Sequence, residues 1–142
     1  MSEREVELAR RGIEAYNRLG PSGFIDFVVR EHAPHPDLLW HIQEDLPNGG
    51  DWVGFDGFEE MSRSWLEAWE SFSIEPGEFI EANDDAVLVP ATQRAVARGS
   101  GIEVEGQFFW VLLFRDGKIA QLHLYVDRTL AKCAAATRAA SP

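Results

Sequence analysis

In FFWVLLFRDGKIAQLHLYVDR, residues 108–128, the dipeptide Asp116-Gly117 separates two runs rich in aromatic and aliphatic residues. An Asp-Gly pair in this setting predicts a two-residue hairpin, because glycine accepts the positive φ that a twist-compatible turn requires. The hairpin pairs Arg115 with Lys118. Counting outward sets Val111 against Leu122, Trp110 against His123 and Phe108 against Tyr125. Gly99-Ser100-Gly101 reads as a second turn that pairs Arg98 with Ile102, so Val89 lies beside Val111 and Ala91 beside Phe109. Strand side chains alternate between faces, so these counts sort the residues into two layers.

One layer holds Val87, Val89, Ala91, Gln93, Gln107, Phe109, Val111, Leu113, Leu122, Leu124 and Val126. It is almost wholly apolar, so it is the face that helices should cover. The other holds Leu88, Phe108, Trp110 and Leu112 together with His123, Tyr125 and Asp127. Its apolar part is too large for open water and predicts a homodimer through Leu88, Phe108, Trp110 and Leu112. Arg94 falls on the same row as Asp127, which predicts an Arg–Asp bridge. A slip of one residue would exchange the two faces.

The period differs upstream. Val6, Ala9, Ile13 and Tyr16 recur at helical spacing, Ser2 and Glu5 form a capping-box pattern, and Gly20-Pro21 ends the run. Phe24, Phe27 and Val28 mark a second short helix, broken by HAPHPD. Asp56 and Glu59 read as the cap of a third, with Phe58, Met61, Trp65, Trp69 and Phe72 as its stripe. Four strands follow, over 73–81, 86–98, 102–114 and 119–127, then a short helix over about 128–138. Helices followed by an antiparallel meander define an α+β class: a strongly curved antiparallel sheet wrapped around three N-terminal helices. Residues 1–138 read as a single domain and 139–142 as a disordered tail.

Net charge is −11 without an offsetting basic stripe, which argues against nucleic acid and anionic membrane surfaces as partners. The single Cys133 excludes an internal disulfide and fits a reducing compartment. The chain opens on a charged amphipathic segment without an apolar leader, so a cytoplasmic location is expected.

AYNRLGPSGF (15–24), LLWH (38–41), DWVGFDGFEEMSRSWLEAWESF (51–72), GIEVEGQFFWVLLFRDGKI (101–119) and YVDR (125–128) resemble the nuclear transport factor 2-like superfamily, in its SnoaL-like branch. The resemblance implies a conical α+β barrel with a pocket between the helices and the concave sheet face. It also implies dimerisation through the convex face. The base, oxyanion donor and helix tyrosine of ketosteroid isomerases look like Trp40, Val111 and Gly12 here. The Arg and Asp positions of limonene epoxide hydrolases resemble Ala91, Gln93 and Leu124. None of these keeps its ionisable group.

The expected ligand pocket is therefore bounded by Tyr16, Trp40, Trp65, Gln93, Phe109, Val111, Leu122 and Leu124. It suits a small, neutral, mostly apolar molecule, with catalysis not evident from the residues. Two alternatives stand beside this. One is a SnoaL-type isomerase, cyclase or hydrolase using His123 and Asp127 as acid and base, with Tyr125 between them. The other is a protein-interaction module. No cofactor is expected. His32, His35 and Asp37 lack the rigid spacing of a metal site.

Overall fold

Helix α1 (Ser2–Leu19) carries Glu3 and Glu5 in its first turn and Arg18 in its last, which complements the helix dipole. It stops at Gly20, whose φ of 74° is the left-handed conformation that a helix C-terminus favours, with the Gly20 N–H donating to Tyr16 O at 2.6 Å. In this computed structural model the described residues are 2–20, 23–24, 26–27, 38–46, 49–83, 85–115 and 118–140. Within them follow β1 (Leu39–Ile42), β2 (Gly50–Val53), α2 (Gly54–Ala68), β3 (Trp69–Pro76), β4 (Ile80–Asn83), β5 (Ala86–Ala97), β6 (Glu103–Arg115), β7 (Lys118–Tyr125) and α3 (Arg128–Ala140). Val28, His32, His35, Asp37 and the turn Asp116-Gly117 lie outside the described residues.

The strands form one curved, unclosed sheet in the order β2-β1-β7-β6-β5-β3, with β4 pairing β5. Every pairing is antiparallel except β1 with β7. The fold is the expected α+β arrangement of helices against a curved sheet. Some boundaries move. Strand β2 precedes α2, and Val53 rather than Asp56 stands at the N-cap of α2, without a side-chain cap. Helix α2 ends at Ala68, so Trp69 and Phe72 belong to β3. Their rings still pack on the same core as Trp65, which is why helical spacing seemed to continue through them.

The register departs from the count in two places. Arg115 does pair with Lys118. On the β5–β6 side, however, Val89 faces Trp110 and Ala91 faces Phe108. The turn is closed by Ala97, whose N–H donates to Ile102 O at 2.8 Å, rather than by Arg98. Arg98 is drawn to the end of α2: its N–H donates to Ala68 O at 3.0 Å, and its guanidinium donates to Leu66 O and Trp69 O at 3.1 Å each. On the β6–β7 side a bulge leaves Ala120 unmatched between the pairs Phe114–Ile119 and Leu113–Gln121. The bulge lets Ile119 and Leu122 both reach the inner core, which strict alternation would forbid.

Trp110 therefore faces Leu124, Val111 faces His123, and Phe109 faces Tyr125. Each one-residue slip inverts a strand relative to its neighbour. The first inverts β6, and the second restores β7. Leu122 and Leu124 point inward and His123 and Tyr125 outward, as counted, but β6 presents the opposite face.

The inner layer is one cluster of Trp40, Ile42, Val87, Val89, Ala91, Trp110, Leu112, Leu122 and Leu124, packed on α1 and α2. The outer layer joins Leu88, Phe109, Val111, Leu113 and Tyr125 to Ala131 and Ala135 of α3. The expected dimer patch is corrected accordingly. Trp110 and Leu112 are in the core, Phe108 packs partly buried against that core, and Leu88 lies in the layer that α3 covers. Those four residues do not share a face, so the homodimer loses the basis it had in the sequence.

Candidate functional site

Two places in the fold concentrate polar groups, one inside the sheet and one outside it. Inside, Tyr16 from α1 stands at the middle of an aromatic chain. Its ring is edge-on to Trp110 at 5.3 Å and to Trp65 at 6.2 Å, and tilted against Phe72 at 5.5 Å. Phe24 continues the chain to Trp110 (6.4 Å) and Trp40 (6.1 Å), and Trp40 meets Phe58 at 5.1 Å. Such offset and edge contacts are the favoured aromatic geometries.

Tyr16, Trp40, Trp65, Gln93, Leu122 and Leu124, expected to bound the pocket, lie on the inner side of the sheet. Phe109 and Val111 do not: inversion of β6 puts them in the outer layer, and Trp110 and Leu112 occupy their inner places. Gln107, expected to face inward, is exposed. Among the described residues, four inner polar atoms are buried without a hydrogen-bond partner: Trp40 Nε1, Trp65 Nε1, Trp110 Nε1 and Gln93 Oε1. Buried polar groups are nearly always paired, so four orphans around one aromatic interior are unusual.

Burial pushes the Tyr16 phenol well above its ordinary value of 10.0. A phenol that ionises less readily folded than unfolded stabilises the fold fully below the unfolded value and loses that contribution as pH rises past it. Urea midpoints should therefore fall above pH 10, and Tyr16→Phe should flatten that fall. A midpoint equally steep in the variant would contradict the assignment.

Outside, β1 runs parallel to β7, which sets His41 beside His123 with ring centroids 5.1 Å apart. His123 is buried; its Nε2 lies 2.8 Å from Gln121 Oε1 and its Nδ1 2.8 Å from Tyr125 Oη. An amide oxygen only accepts, so Nε2 carries the proton and Nδ1 accepts from the Tyr125 hydroxyl. His41 Nδ1 lies 2.6 Å from Asp51 Oδ1, across the β1–β2 pair. His41, Asp51, His123 and Tyr125 line an open groove of about 830 Å³ between β1, β7 and α3.

Asp127 borders the groove without joining His123. Its Oδ1 accepts from Leu130 N–H at 3.0 Å and so caps α3. The expected Arg94–Asp127 bridge is also absent. Arg94 contacts Glu75 and Glu105 at 3.1 Å each, and these two acids raise its pKa further. Gln43 ties the end of β7 to β1: its Oε1 accepts from Val126 N–H (2.9 Å) and Asp127 N–H (3.1 Å), and its Nε2 donates to Asp45 at 2.7 Å. No group of three or more His, Cys, Asp or Glu among the described residues could hold a metal.

Sequence reasoning missed His41 and Asp51. Alternation around Trp40 could have put His41 outside. Its neighbours depend on β2 and on a parallel β1–β7 pairing, neither of which has a short-range signal.

Residues 9–122 match the family model described as a SnoaL-like domain, and the chain belongs to that family. Among solved structures, TerC co-crystallised with polyporic acid is 22% identical, covering 89% of this chain and 94% of that one, with a TM-score of 0.73. An NTF2-like protein of unknown function from Burkholderia pseudomallei K96243 is also 22% identical, covering 89% and 93%, with a TM-score of 0.74. SalBIII, an epoxide hydrolase/cyclase-like enzyme of pyran ring formation in the polyether salinomycin, is 16% identical, covering 90% and 93%, with a TM-score of 0.68. At these identities the likeness is one of fold. Among the curated proteins none matches this chain. No helix among the described residues is long and apolar enough to cross a membrane.

Proposed function

We propose that the aromatic interior binds a small, neutral, mostly apolar molecule carrying carbonyl or hydroxyl oxygens. The observation behind this is the set of orphaned buried polar atoms at Trp40, Trp65, Trp110 and Gln93. Three indole N–H groups can only donate, so they call for acceptor oxygens, and the Gln93 amide oxygen can take a hydroxyl proton. Among the described residues no Lys or Arg is buried, so a carboxylate ligand would lose its hydration without a counter-charge from them.

Binding rather than proton transfer is what these groups support. Indoles, an amide and a phenol held protonated by burial do not exchange protons near neutral pH. Glu5, buried in the first turn of α1, is already engaged in an interaction of its own. The alternative pairing of His123 with Asp127 as acid and base is disfavoured by the geometry, since each is committed to other partners. TerC with polyporic acid and SalBIII in polyether ring formation are small-molecule settings of the same fold, in keeping with this reading.

Tryptophan fluorescence with 2-hydroxy-9-fluorenone and with 9-oxofluorene-2-carboxylate separates the cases. The neutral ketone should bind more tightly. Gln93→Leu should weaken it by about 1 kcal/mol, roughly fivefold. A preference for the carboxylate would refute the reading.

A further inference from the structure

The outer groove is independent of the interior, and one imidazole in its walls is oriented through one nitrogen while the other faces the groove. Both ring nitrogens of His123 are engaged, the Gln43 amide is spent on backbone N–H groups and Asp45, and Asp127 caps a helix. His41 differs. Its Nδ1 faces the Asp51 carboxylate at 2.6 Å, and a carboxylate only accepts, so Nδ1 carries the proton. In the neutral imidazole this leaves a lone pair on Nε2, which has no partner among the described residues. An imidazole oriented through one nitrogen by a carboxylate, with the other nitrogen free in a groove, is the arrangement of a general base.

The geometry points to a second, hydrolytic site in this groove, in which His41 is the catalytic base and Asp51 its positioning residue. The substrate class follows from the walls. Glu44, Asp45, Asp51 and Asp127 border the groove and no Lys or Arg among the described residues lines it, while Leu39 and Leu130 give it an apolar side. An anion is repelled there, and an uncharged or cationic ester is accepted. The groove is open, so water reaches it and serves as nucleophile. Water oxygen bonds to the acyl carbon as its proton passes to His41 Nε2. The tetrahedral adduct then breaks its bond to the leaving oxygen, and the imidazolium returns the proton to that oxygen or to solvent. The products are the acid and the alcohol, and His41 is regenerated.

The test uses the full chain with 4-nitrophenyl acetate as probe. Saturable hydrolysis is expected, faster than with the anionic 4-nitrophenyl hemisuccinate. His41→Gln should lower kcat about 100-fold. Asp51→Asn should lower kcat by less and leave KM unchanged, because Asp51 only orients the base. Near-UV circular dichroism checks that the variants fold.

Carbethoxylation of the native protein supplies a test that needs no variant. Modification mapped to His41 should abolish hydrolysis, and hydroxylamine should restore it. Retained hydrolysis after modification of His41 overturns the proposal. So does a rate that survives His41→Gln but falls with Cys133→Ser, which would make the thiol of α3 the nucleophile.

Discussion

Replacing Trp110 with alanine should lower the unfolding free energy by about 3–5 kcal/mol, the usual cost of deleting a large buried ring. Trp110 is 1% exposed and touches both Tyr16 and Phe24, so its removal opens a hole where α1 meets the sheet. Domains of this size are stable by only about 5–15 kcal/mol, so the loss is a large part of the whole. Urea denaturation should show a midpoint shift that does not depend on protein concentration. Had β6 kept the counted register, Trp110 would lie on the outer face. The substitution would then change association and leave the fold of one chain nearly untouched. A concentration-dependent shift, or a change in oligomeric state with little change in midpoint, would contradict the inner placement.

Gly20→Ala should be costlier than Gly99→Ala. A side chain at φ 74° is strained by about 1–2 kcal/mol. An added Cβ would also lie 2.5 Å from Phe72 Cζ. That ring is held between Tyr16 at 5.5 Å and Trp65 at 5.8 Å, so moving it disturbs the aromatic interior and adds about 1–3 kcal/mol. Gly99→Ala is the matched comparison, because Gly99 has φ 92° and open space around it. It should show the backbone part alone. Equal losses at the two positions would mean that the Phe72 contact contributes nothing.

The contrast between β6 and β7 shows what the sequence can specify. Alternating apolar residues and the Asp-Gly turn identify both strands and their pairing, because those signals are local. The face of β6 depended on Arg98, whose bonds to the end of α2 span about thirty residues and leave no mark on the spacing around Gly99. The bulge at Ala120 has the same character: it is set by the need to bury both Ile119 and Leu122. Two such errors cancelled for His123 and did not cancel for Trp110. The inner residues on strands and helices read correctly, namely Tyr16, Trp40, Trp65 and Gln93, owe their position to α1, β1, α2 and β5, which no slip inverts. His41 and Asp51 were out of reach because strand β2 and the parallel β1–β7 pair are non-local.

The most direct measurement is a ¹⁵N correlation spectrum of the tryptophan indoles during titration with 2-hydroxy-9-fluorenone. A bound carbonyl accepting from the inner indoles should shift the Nε1–H signals of Trp40, Trp65 and Trp110 and leave that of Trp52, on the edge strand β2, in place. Shifts at Trp52 with the three inner signals unmoved would contradict an interior binding site.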